Sequence, residues 1–224
     1  YEISLGLVGS EMCIRDRHGK TKQLEKGIID HVKKHHGQGG WPEYYFEILS
    51  GPNQGSFAGW SGPHTWKAFD ERVRSQADVR HWNQYVAPYA DMSNDKGTSF
   101  LIMHKDLKYG PDSAPEYYHL SWNMTYPGTG GQYKKIARTS KQVKESTDSK
   151  NYHTIYQVVS GNNPDAWLWE YPINSMEELG MSTGASGASD IKKVLGEEGA
   201  KEFWELYRNS VWSRVREIQK FRSD

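Results

Sequence analysis

The sequence predicts an α+β protein of two halves, each running strand, helix, strand, strand, helix, strand. Three observations carry that expectation. A strand, a tight turn, a second strand and a helix start occur twice, at 44–69 (YYFEILSGPNQGSFAGWSGPHTWKAF) and at 153–179 (HTIYQVVSGNNPDAWLWEYPINSMEEL). With Ser50-Gly51 laid on Ser160-Gly161, Asn53 falls beside Asn162-Asn163, Trp60 near Trp169 and Pro63 near Pro172, with one residue of slippage in the turn. The 224 residues are 36% hydrophobic and 13% aromatic, enough for a sizeable core, and no run reaches the roughly 18 apolar residues of a membrane helix.

In chain order, residues 1–17 (YEISLGLVGSEMCIRDR) resemble a translated sequencing adaptor: GAGATGTGTATAAGAGACAG reads Glu11-Met12-Cys13-Ile14-Arg15-Asp16. That resemblance places the segment outside the native fold, as a scar. It also removes the lone cysteine, Cys13, and leaves redox compartment and localisation unread. Lys+Arg and Asp+Glu balance at 28 each, which argues against nucleic-acid partners that need a basic field.

From His18 to His36, Leu24, Ile28, Ile29 and Val32 recur at helical spacing, and Gly37-Gln38-Gly39-Gly40 ends that helix. Tyr44 to Leu49 is aromatic and β-branched and reads as a strand; Ser50 to Gly55 is turn chemistry, and Ser56 to Ser61 returns as its partner. Thr65 is placed to cap a helix carrying Trp66 and Phe69, a further helix runs through Trp82 and Val86, and 98–105 is a strand. Charge, proline and glycine at 106–115 mark the seam, giving halves 18–110 and 111–224.

The second half opens on a strand at 117–126, followed by a Gly128–Gly131 turn and a helix over 132–149. After the repeated hairpin come a helical turn at 175–179, a small-residue loop at 180–189, a helix at 190–210 and a strand at 214–221. The first half reads the same with its opening strand missing, where the adaptor-like residues stand.

This order is ferredoxin-like, and two such halves in one chain can cover each other's sheets as an intramolecular α/β barrel. On element order, the repeat and the SG-N…W…P pattern, the chain resembles a fused, tandem form of the dimeric α/β-barrel superfamily, which includes antibiotic-biosynthesis-monooxygenase-like and NIPSNAP-like domains. The resemblance implies a small-molecule ligand, a monooxygenase-like or haem-binding protein, and a monomer or homodimer. It does not select one activity.

The candidate site follows from strand faces. If Tyr118, Leu120 and Trp122 pack under helices, then His119, Ser121 and Asn123 look into the cleft between the half-sheets, as do Tyr45, Glu47 and the repeat partner of Glu47, Gln157. His119 is then the general base or haem ligand and Glu47 orients the substrate, while His64, at a helix start, suits an anionic group. His31 and His35 stand i, i+4 but lack an identifiable third ligand, so no metal site is assigned. Two other readings stay open: a non-catalytic structural or interaction module, and a carbohydrate-binding protein using the tryptophans as stacking faces. The Asn123-Met124-Thr125 sequon lies inside a strand and carries no weight.

Overall fold

The computed structural model describes residues 7–223 except 38–40, 92, 94–96, 113, 162–164 and 183–184; the expected helix stop at 38–40 and the Asn162-Asn163 turn fall outside these. The first part of the chain forms β1 (Leu7–Asp16), α1 (Thr21–His35), β2 (Glu43–Ser50), β3 (Phe57–His64), α2 (Trp66–Glu71), α3 (Gln76–Tyr85), β4 (Ala90–Asp91) and β5 (Ser99–Met103). The second forms β6 (Tyr117–Thr125), α4 (Gly130–Ser146), β7 (Thr154–Ser160), β8 (Ala166–Ile173), α5 (Leu179–Ser182), α6 (Ala185–Ser210) and β9 (Val211–Arg222).

The strands make one antiparallel sheet in the order β3-β2-β9-β6-β8-β7-β5-β1-β4, and β1 pairs also with β3, so the sheet curls back on itself. Taken by half, the orders are β5-β1-β3-β2 and β9-β6-β8-β7, the same sequence of positions. The seams are β2 with β9 and β5 with β7. The Thr65 side chain caps α2 at the Ala68 N–H, as its position in the sequence implies.

Three expectations are corrected. The opening strand of the first half is present: β1 fills the slot between β3 and β5, where unpaired backbone groups would otherwise be buried. Met12 and Ile14 pack with Leu24 and Ile28 of α1, while Cys13 turns the other way toward Phe46 and Ala58, an alternation the slot accepts. The small-residue segment expected as a loop is partly helical, since α6 begins at Ala185; the break falls instead at Gly196, whose φ of 73° lies in the left-handed region.

The third correction concerns faces. Leu120 and Trp122 of β6, Leu101, Val158 and Leu168 form one core, and Phe46, Ile48 and Ala58 continue it on the inner face of the curled sheet. The helices cover the outer face: Tyr133 and Ile136 of α4 and Phe203 of α6 pack on Ile155, Trp167 and Trp169, and α1 packs on Tyr45 and Phe57. The face of β6 expected under helices is therefore the inner one. Both faces of these strands are buried, so apolar content alone does not say which looks inward.

Gly27 sets how closely α1 approaches the end of α3, because a Cβ there would stand 2.1 Å from the Tyr85 carbonyl oxygen. Gly27→Ala should destabilise the protein by about 1–3 kcal/mol in urea unfolding, although alanine is the better helix former. An unchanged or raised midpoint would contradict that packing.

Candidate functional site

Inside the curled sheet lies a cleft of 820 Å³, in the range of small-molecule sites. Its walls are inner-face aromatics from both halves, Tyr44, Phe46, Trp60, Tyr118, Tyr156 and Phe221. Lys105, Lys108 and Asp112 also line it, and Lys108 is hydrogen-bonded to Asp112, which is fully exposed.

Two polar side chains stand among these rings, on the strands that flank β6. Glu170 of β8 pairs across from Leu120 and receives a hydrogen bond from the Tyr156 hydroxyl at 3.4 Å. Gln219 of β9 pairs across from Tyr118; its Oε1 accepts from Trp60 Nε1 at 3.1 Å, and its buried Nε2 has no hydrogen-bond partner. Burial pushes the Glu170 carboxyl up to about 7, against smaller opposing effects of the Tyr156 hydrogen bond and of Lys108. A carboxyl that titrates near neutrality can both take and return a proton.

His153 lines the cleft too, and its ring is fixed on both sides. Nε2 stands 3.0 Å from the Leu107 carbonyl, which can only accept, so that nitrogen carries the proton and Nδ1 faces Lys144 Nζ at 2.8 Å. Burial holds Lys144 down at about 7 and His153 well below its ordinary value. A haem needs an axial side chain. With both nitrogens of His153 engaged, the described lining does not fit haem held by histidine.

None of the seven residues singled out from sequence lines this cleft. His119 is buried on the outer face, stacked on Tyr171 with centroids 5.6 Å apart, and burial with Arg216 and Arg214 lowers it to about 4. Asn123 Oδ1 accepts from Tyr207 of α6 at 2.7 Å, and its Nδ2 donates to the Ser121 carbonyl at 2.9 Å. Glu47 pairs with Arg222, which also meets Glu25 of α1. Gln157 bonds His104, which stacks on Trp167. Tyr45 is core beneath α1, and burial raises its hydroxyl far above the ordinary range. His64 is buried against Trp41 with Nε2 2.8 Å from Ser61 Oγ.

Sequence reasoning missed Glu170 because the repeat was laid one residue out of register. Tyr44 pairs with Trp60 and Thr154 pairs with Glu170, so the structural counterpart of Trp60 is Glu170, while Trp169 corresponds to Gly59 and faces the helices. One residue of slippage exchanges the faces of a strand. An overlay without the slip in the turn would have set Glu170 on Trp60.

Comparison with protein-family models and with curated proteins finds no match. Among solved structures, a Fusobacterium nucleatum protein provisionally described as a monooxygenase superposes with a TM-score of 0.63 at 11% identity, covering 98% of this chain and 94% of that one. An anthrone oxidase-like protein gives 0.57 at 8% identity over 98% and 92%. Chlorite dismutase from Candidatus Nitrospira defluvii, in complex with imidazole, gives 0.54 at 7% over 97% and 92%. At these identities the likeness is one of fold, an α+β ferredoxin-like arrangement.

The raised Glu170 carboxyl has a pH consequence. Between its ordinary value of 4.5 and about 7, the folded protein holds a proton that the unfolded chain has released. This group's contribution is thus full at low pH and lost as pH rises through 7. In urea unfolding between pH 5 and 8, Glu170→Gln should gain stability relative to wild type as pH rises; a difference between the two that does not vary with pH would contradict the burial argument.

Proposed function

We propose that this chain binds a planar, largely apolar small molecule in the inner cleft and acts on it in a monooxygenase-like, acid–base reaction. The two halves, the first opening at β1 (Leu7–Asp16) and the second covering 111–224, are, in this reading, ferredoxin-like repeats of one intramolecular α/β barrel. The observation that carries the proposal is Glu170, a carboxyl pushed to about 7 in an aromatic cleft. It would remove a proton from an acidic C–H or O–H, and the Gln219 Nε2 donor would hold the developing oxyanion. An electron-rich carbanion or phenolate is the form that dioxygen can oxidise. The structural neighbours described as monooxygenases and as anthrone oxidase-like support a substrate of this class.

The two rival readings receive less support. The side chains leave 820 Å³ unfilled, against a cleft closed by packing. Trp167 and Trp169 are buried under α4 at 3% and 6% exposure, not displayed as a sugar platform. No helix among the described residues is long and apolar enough to cross a membrane.

Oxygen uptake with a panel of anthrones and polycyclic phenols tests the proposal. Activity should rise through pH 7, and Glu170→Gln should lower kcat by roughly 10²–10⁴-fold while ligand quenching of Trp60 fluorescence persists. Full activity in Glu170→Gln would remove the acid–base role, and no quenching by any member of the panel would remove the ligand class.

A further inference from the structure

Outside the cleft, where α1 meets α3, five side chains of metal-ligating type converge: His31 and His35 on α1, His36 at its C-terminal cap, and Asp78 and His81 on α3. Glu43 joins them from the start of β2. His31, His36 and Asp78 are buried.

The inward-facing atoms have the spacing of a coordination shell. His31 Nε2 lies 3.2 Å from His36 Nε2 and 3.3 Å from Asp78 Oδ1. His36 Nε2 lies 3.5 Å from Glu43 Oε2 and 3.9 Å from Asp78 Oδ1. Ligands held at roughly 2.0–2.1 Å in a tetrahedron stand about 3.3 Å from one another. The three separations among His31, His36 and Asp78, 3.2, 3.3 and 3.9 Å, scatter about that edge.

The far side of each group is held as metal ligands require. His36 Nδ1 is 3.0 Å from the Trp41 carbonyl, which can only accept, so the proton sits on Nδ1 and Nε2 turns its lone pair inward. His31 Nδ1 meets His81 Nδ1 at 3.2 Å. Glu43 Oε1 accepts from Arg72 at 2.8 Å, and Asp78 Oδ2 lies 3.6 Å from Arg74 Nε. Such outer partners orient imidazoles and carboxylates toward an ion. Asp78 Oδ1 is buried without a hydrogen-bond partner, a costly state for a carboxylate oxygen unless a cation meets it.

We propose that His31 Nε2, His36 Nε2 and Asp78 Oδ1, which all lie within 4.8 Å of one another, form a three-ligand site for a divalent transition metal of the zinc class, with Glu43 beside His36. The ion would tie α1 to α3 through three protein ligands, with a fourth position open to water. The site stands apart from the cleft and from the reaction proposed there.

Chelator-treated protein, dialysed against Zn(II) and freed of excess, should retain one equivalent per chain. Co(II) in its place should give the visible absorption of a tetrahedral N/O site. Zinc at a hundredfold excess over Kd should raise Tm by about 5–10 °C. His36→Asn and Asp78→Asn should lose the retained equivalent, whereas His104→Asn, outside the cluster, should keep it. His81→Asn should keep it with affinity lowered about 10–100-fold. Wild-type protein that retains no zinc and shows no cobalt bands would overturn the site even where a variant fails to fold. Retention that survives His36→Asn but is lost in His81→Asn would overturn the ligand set.

Discussion

Each strand of the curled sheet has to satisfy two cores at once. The inner face supplies the aromatic walls of the cleft and the outer face seats the helices, so a residue's partners are fixed by its parity along the strand. Ile155, Trp167 and Trp169 belong to the helix side, and Leu168, one residue from either tryptophan, and Val158, three residues from Ile155, to the cleft side. The pairing of β1 with both β3 and β5 makes this possible, because it curls the sheet until its inner face is enclosed.

That constraint sorts the polar chemistry. On the inner face a polar group has few partners, and Glu170 keeps only the Tyr156 hydroxyl and the influence of Lys108, which leaves its carboxyl near neutrality. On the outer face polar groups find partners: Asn123 in Tyr207 of α6, Glu47 in Arg222 of β9 and Gln157 in His104 just past β5. The same residue types thus serve packing on one side and poise a proton on the other. The histidine and carboxylate cluster lies in the outer layer, where the close approach of α1 to α3 at Gly27 accompanies the meeting of their side chains.

The element order, the turns and the α+β class were legible because they follow from local signals. Turn residues at 50–55 and helical spacing at 24–32 act within a few residues of themselves. Most boundaries, such as 117–125 for β6, fall within a residue or two of where those signals put them. The segment from Leu7 to Asp16 resembles an adaptor, yet a strand needs only alternation and open neighbours, and β3 and β5 supply them.

The sequence by itself determined most of the strands and helices and the α+β class, since periodicity and turn chemistry are properties of a single segment. Tertiary structure alone decided which strand face looks inward. It therefore also decided that Glu170 rather than His119 stands in the cleft, and that His31 and His36 of α1 and its cap find Asp78 across a helix–helix contact. Those outcomes depend on strand register and on helices meeting from distant parts of the chain, and a buried strand with two apolar faces carries no local mark of either.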